Sequence, residues 1–253
     1  KNCALRSHHM PELQLPELQL SEYVSSNREQ IIERLRDWLS IPSISCDPVH
    51  SNDVRSSAEW CADQMREVGL ENVHLIETQL HPSVYGDWLH AGPDAPTVVV
   101  YGHHDVQPVD PESDWDSPPF EATERDGQLF ARGSVDDKGQ VLYHLEAIRA
   151  ILTRDGTLPI NLKLVIEGEE EFGSPNFEDL LISNKELLYC DVVIVSDTGM
   201  LSISEPSMCI GMRGLAGFDI HIRSSDTDLH SGVFGGAVLN PSHLAAQIVA
   251  SLH

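Results

Sequence analysis

The 253-residue chain carries 16 basic against 40 acidic residues, a formal charge of −24, with 41% apolar and 6% aromatic residues. That balance excludes nucleic acid and anionic membrane as principal partners, since both require a positive footprint, while the apolar share supports a packed core over a disordered chain. Five scattered cysteines (Cys3, Cys46, Cys61, Cys190, Cys209) contain no CxxC pair; this excludes thiolate-held structural zinc and a disulfide framework, and reads as buried thiols in a reducing, cytoplasmic setting.

No apolar run approaches the ~20 residues of a membrane span, and the first residues show no signal-peptide pattern. "SHHM" resembles an expression scar and the doubled "PELQL" reads as a mobile arm, residues 1–26. From Asn27, apolar residues at Ile31, Ile32, Leu35, Trp38 and Leu39 have helical spacing, stopped by Pro42. Val54, Ala58, Cys61, Ala62, Met65 and Val68 predict a second helix closed by Gly69. Short β-prone runs follow, "NVHLIE", "SVYGDWL" and "TVVVYGH". Asp126-Gly127 inside "FEATERDGQLFAR" signals a hairpin. A long helix is predicted over Gly139–Thr153, ended by Asp155-Gly156. "INLKLVIEGEEE" then reads as a strand, "NFEDLLISNKELL" as a helix and "DVVIVSDTG" as a strand. Strands alternating with helices imply an α/β fold: a mixed sheet flanked by helices on both faces.

The texture changes near residues 206–210. "SMCIGMRGLAGFDIHIRSS" is a long alternating stretch, "DTDLHSGVFGGAVLNP" a glycine-rich loop, and "PSHLAAQIVASLH" a helix with proline in its first turn. The expected organisation is an arm (1–26), a catalytic domain (27–208) and the beginning of a smaller α+β lid or dimerisation domain (209–253).

Ligands in open α/β sheets bind beyond the carboxyl ends of the strands. There the sequence sets His103, His104 and Asp105 after "TVVVYG", Asp136 and Asp137 after "QLFARGSV", Glu169 to Glu171 after "LKLVIEG", and Asp197 after "DVVIVS". Carboxylates converging in a low-dielectric cleft raise one another's pKa. A pair of divalent cations relieves that repulsion, and an oxygen and nitrogen donor set without thiolate suits Zn²⁺, with Mn²⁺ or Co²⁺ as substitutes. Two such ions polarise a carbonyl and yield hydroxide near neutral pH, and one glutamate outside the ligand set would serve as general base.

These residues resemble a known family. "GHHDVQP", "RGSVDDKG", "EGEEEFGS", "VSDTG" and "DLHSGVFGG" are similar, in order and spacing over roughly residues 27–253, to motifs of the dinuclear zinc peptidases. That group includes carnosinase, cytosolic nonspecific dipeptidase, succinyl-diaminopimelate desuccinylase, aminoacylase and glutamate carboxypeptidase, and the wording is nearest its dipeptidase branch. The resemblance implies two zinc ions held by His103, Asp136 (bridging, with a cis peptide to Asp137), Glu171 and Asp197. It implies Asp105 steering the His103 ring and Glu170 as general base. His230 of the lid would stabilise the oxyanion in a partner subunit's active site, so a homodimer through the lid is implied. His104 and Glu169 are left out of the site as bystanders. A last histidine ligand comes, in the family, from a stretch after the lid; His243 and His253 do not stand in a matching context.

The function expected is hydrolysis of amide bonds in dipeptides or small peptides by a metal-activated water. The alternatives are an N-acyl amino acid deacylase or desuccinylase with the same centre, and a non-catalytic metal-dependent dimerisation module.

Overall fold

The computed structural model describes residues 17–202, 205 and 207–252. Two compact units divide at 206/207. In the first, α1 (Glu17–Ser26) runs almost directly into α2 (Arg28–Leu39). The mobile arm expected over 1–26 is therefore helical from Glu17; residues 1–16 lie outside the described part. The break between the helices is a single residue, Asn27, whose backbone and side-chain amides both donate to the Tyr23 carbonyl. Extending an existing helix across one residue costs far less than nucleating a separate one.

α3 (Ser51–Glu67) follows, and buries Val54, Ala58, Cys61, Ala62 and Met65 on the face read from the sequence. A five-stranded sheet is built from β1 (Glu71–Ile76), β2 (Ser83–Trp88), β3 (Thr97–His103), β6 (Asn161–Glu167) and β7 (Val192–Val195), in the order β1-β2-β6-β3-β7. β1 and β2 pair antiparallel, as do β2 and β6, whereas β3 lies parallel to both β6 and β7. The parallel part needs crossovers, supplied by α4 (Lys138–Asp155) and α5 (Phe177–Ser183).

Period-two alternation divides the sheet between its two faces. Val98, Val100, Leu162, Leu164 and Ile166 join α3 and the Val141, Leu142, Leu145 and Ile148 stripe of α4 in one core, where each buried aliphatic side chain contributes about 2 kcal/mol. On the opposite face Tyr101 meets Phe177 of α5, and Lys163 donates to the Leu187 and Tyr189 carbonyls. The sheet is thus mixed, with helices on both faces. Trp38 stacks on Trp60 at 4.7 Å and gives its indole N–H to Ser57, and Arg34 of α2 grips Glu146 of α4 through both guanidinium arms.

The hairpin signal holds as β4 (Thr123–Arg125) and β5 (Gln128–Phe130), turning through Asp126 and Gly127, both at positive φ. β5 is shorter than the sequence suggested. It ends at Phe130, and residues 131–137 form a bent loop into α4.

In the second unit the alternating stretch over 207–223 forms no strand; Met208, Ile210, Met212, Leu215 and Phe218 are exposed. Alternation specifies a strand only where a neighbouring strand accepts its hydrogen bonds, and none of the described residues of this unit supplies one. The unit's regular elements are α6 (Ser231–Phe234) and α7 (Pro241–Ser251), the latter capped by the Asn240 side chain, with Pro241 at its first position.

The buried-thiol reading holds only for Cys61. Cys46 and Cys209 are exposed, Cys190 is intermediate, all four are free, and Cys3 lies outside the described residues. Being apolar does not bury a cysteine whose segment lies at the surface.

Candidate metal centre

β3 stays extended past its formal end, because Val106 continues alongside the segment containing Ile44 and its N–H donates to the Ser43 carbonyl. An extended chain sends alternate side chains to opposite sides. His104 and Val106 go inward, fully buried. The His104 Nε2–H donates to the Pro82 carbonyl at 2.9 Å, and burial lowers this ring to about pKa 4, keeping it neutral. His104 is therefore a packing pin at the back of the site, a more definite role than the spacer expected from sequence. His103, Asp105 and Gln107 take the other side.

His103 is fully buried and gripped on all sides. Its backbone N–H donates to Asp137 Oδ2 at 3.1 Å. Nδ1 donates to the Asp105 carbonyl at 3.1 Å and lies 3.4 Å from the Asp105 carboxylate, which leaves Nε2 as the nitrogen free to face the cluster. Nε2 faces Asp136 Oδ1 at 3.0 Å, and Glu170 Oε2 and Asp197 Oδ2 at 3.9 Å each. Asp105 also accepts the Glu171 backbone N–H at 3.0 Å, so one carboxylate ties the His103 loop to the Glu171 loop.

Asp136 does not arrive on a strand end. It comes from the loop before α4, through a cis Asp136–Asp137 peptide bond. Gly102 makes room for this turn: a Cβ there would lie 2.6 Å from both Asp137 Oδ2 and Val141 Cγ2. Lys138 follows, fully buried, with its ammonium donating to the Trp38 and Ile41 carbonyls. Burial lowers its pKa to about 7. It anchors the loop to the end of α2.

Glu170 and Glu171 lie on a single 3-10 turn after β6. Glu169, expected to be a bystander, is almost fully buried and accepts from the Thr78 hydroxyl, the His81 N–H and the Asn176 amide. Those bonds hold the turn's first residue, and with it the aim of the next two. Asp197 stands two residues beyond β7; Ser196, between them, meets His144 of α4 at 2.6 Å. His144 carried no motif in the sequence, and Ser196 was given no role although it lies within "VSDTG".

The electrostatics follow from this crowding. Burial alone would lower the His103 imidazole, yet Asp105 and Asp136 beside it push it up to about 11. Asp136 is held low by its hydrogen bond to His103. Burial opposes ionisation of Asp105, but the adjacent imidazole more than offsets it. Glu170 and Glu171 are raised, by burial first and then by neighbouring carboxylates. Asp137 is pushed to about 7, again chiefly by burial.

Two overlapping sets, His103–Glu170–Asp197 and His103–Asp136–Glu171, each bring their ligating atoms within 4.8 Å of one another. Oxygen donors around one imidazole, with carboxylates destabilised by mutual proximity, fit divalent cations. Asp137 Oδ1 is buried with no hydrogen-bond partner among the described residues. Thus His103, Asp105, Asp136, Glu170, Glu171 and Asp197 come together as the sequence indicated. His230 lies in the second unit. It caps α6, its Nδ1 accepting the Gly232 N–H at 2.9 Å.

Comparison with known proteins places these features in context. The model of "Peptidase family M20/M25/M40" matches residues 99–251. The chain is 32% identical over 246 residues to the Beta-Ala-His dipeptidase of Mus musculus, covering 92% of this chain and 50% of that protein. It is 33% identical over 245 residues to the Cys-Gly metallodipeptidase dug1 of Schizosaccharomyces pombe, covering 92% and 51%. Among solved structures, the di-peptidase Dug1p of Saccharomyces cerevisiae superposes with TM-score 0.73 at 26% identity, over 93% of this chain and 52% of that one. Human carnosine dipeptidase 1 superposes with TM-score 0.72 at 28% identity, over 92% and 52%. The chain spans about half the length of the curated relatives it matches.

Proposed function

Because the chain belongs to peptidase family M20/M25/M40, we propose that it carries the metal-binding and general-base residues of a dipeptidase that hydrolyses the amide bond of dipeptides or small peptides. The observation that carries this reading is the convergence of His103, Asp136, Glu170, Glu171 and Asp197, from four separate segments, into two overlapping ligand-sized clusters. The similarity to a Beta-Ala-His dipeptidase and a Cys-Gly metallodipeptidase supports dipeptides as the substrate class.

In this reading His103 and Asp197 would hold one divalent cation and Glu171 a second, with Asp136 available to both. Zn²⁺ suits the donor set, with Mn²⁺ or Co²⁺ able to replace it. When bound, such cations supply Lewis acidity and bring the pKa of water near neutrality.

Glu170 is the general base. Its carboxylate takes the proton of the attacking water and returns it to the departing amine. In the metal-free chain, burial and the Asp197, Asp105 and Asp136 carboxylates raise its pKa. Asp105 keeps the His103 Nε2 aimed into the cluster. His230 would donate to the oxyanion of the tetrahedral intermediate in a partner chain's site, within a homodimer formed through the second unit. With Nδ1 accepting the Gly232 N–H, Nε2 is the ring nitrogen left to donate to such an oxyanion.

Four free cysteines support a reducing, cytoplasmic setting. No helix among the described residues is long and apolar enough to cross a membrane.

The test compares kcat/KM of the full-length protein for a dipeptide and for an N-acyl amino acid, before and after chelation. A dipeptide preference abolished by chelator and restored by Zn²⁺ is expected. Preference for the N-acyl amino acid would favour the deacylase alternative, and metal uptake without any hydrolysis a non-catalytic module.

A further inference from the structure

The extended segment after β3 places a third residue beside His103 and Asp105. Gln107 Nε2 donates to Glu171 Oε2 at 2.7 Å and to the Glu171 carbonyl at 3.1 Å. Both partners are acceptors, so the NH2 end of the amide must face them. Together with the Asp105 bond to the Glu171 N–H, residues 105 and 107 hold residue 171 by its amide, its carbonyl and its carboxylate. The neighbouring Glu170 carboxylate has no such clamp among the hydrogen bonds of the described residues.

We propose that Gln107 is a positioning residue for Glu171: by holding Oε2 it fixes the orientation of the carboxylate that would serve as a ligand at the cluster shared with His103 and Asp136. The inference rests on the two-cation reading above. It follows from period-two geometry, in which positions 103, 105 and 107 share one side of the segment, one reaching the cluster and the other two bracing it. A freely rotating Glu171 would instead divide its time among solvated, one-oxygen and two-oxygen arrangements, and would pay rotamer entropy on binding. A hydrogen bond to a ligating carboxylate fixes that choice in advance.

The experiment is a Co²⁺ titration of the metal-free full-length protein, followed by visible absorption, for wild type, Gln107→Ala and Gln107→Met. The methionine variant keeps side-chain length without the N–H donor, so any folding defect of the alanine variant is separated from loss of the hydrogen bond. Wild type is expected to fill two equivalents. Both variants should weaken one equivalent by about 10- to 100-fold and shift its absorption band, while the other keeps its affinity. Two equivalents with wild-type affinities and spectra in both variants would overturn the role of Gln107 and leave the metal centre standing. Equal weakening of both equivalents would assign Gln107 a merely structural part and overturn it too. A wild type that takes up no cation would overturn this inference and the two-cation reading together.

Discussion

Two neighbouring histidines in "GHHDVQP" are indistinguishable by residue type, and their fates diverge completely. His103 meets three carboxylates through Nε2, whereas His104 is turned inward against Pro82. Alternation in an extended segment explains this, and it was legible once the strand was assigned. The same logic could have singled out Gln107. The three consecutive glutamates were harder, because a 3-10 turn has no alternation to read. Glu170 and Glu171 were identified by motif, yet nothing in the sequence revealed that Glu169 has its own three donors. Hydrogen bonds to charged groups contribute about 1.5–3 kcal/mol each, and buried donors left unpaired cost comparably. Glu169→Ala should therefore lower the unfolding free energy by about 3 kcal/mol in urea denaturation. A loss below about 1 kcal/mol would show that the three contacts do not hold the turn.

Elements were read best where period and punctuation agreed. α3 and α4 carry apolar stripes closed by Gly69 and Gly156 at positive φ, and β3 and β6 are short, largely apolar runs buried by helices on both sides. Prediction failed where structure depends on partners distant in sequence. The 131–137 loop is shaped by Gly102 and Lys138 contacts, and the 207–223 stretch pairs with nothing among the described residues of its unit. Between elements, His144 of α4 meets Ser196, next to Asp197. Burial lowers the folded-state pKa of His144 to about 4, below the ordinary value near 6.5. The unfolded chain therefore binds the extra proton first. Stability contributed by neutral His144 is present above about pH 6.5 and is lost as pH falls toward 4, with a slope of up to about 1.4 kcal/mol per pH unit. His144→Gln should show a shallower loss of unfolding free energy than wild type across that window. Identical slopes would mean that His144 does not titrate with unfolding.

At the scale of the molecule, a sheet with β3 and β6 at its centre aims three loops at one edge, and the loop entering α4 closes the set. Fold class and most of this cluster were accessible from sequence because strand ends are where such sheets place ligands. The role proposed for His230 depends on a second chain, and it makes a distinct demand. Glu170→Gln and His230→Ala would each be nearly inactive alone. Mixed and allowed to exchange subunits, they should recover about one quarter of wild-type activity, since each mixed dimer contains one site with both residues intact. No recovery, despite demonstrated exchange, would place His230 in the site of its own chain or outside catalysis. The central claim, that this cluster binds cations through its ligands and works through Glu170 as base, is tested most directly by one paired measurement. Cation content and dipeptide turnover are determined on the same preparation of full-length Glu170→Gln. The expected result is a wild-type complement of cations with turnover reduced about 100-fold or more; substantial turnover in a fully loaded variant would contradict it.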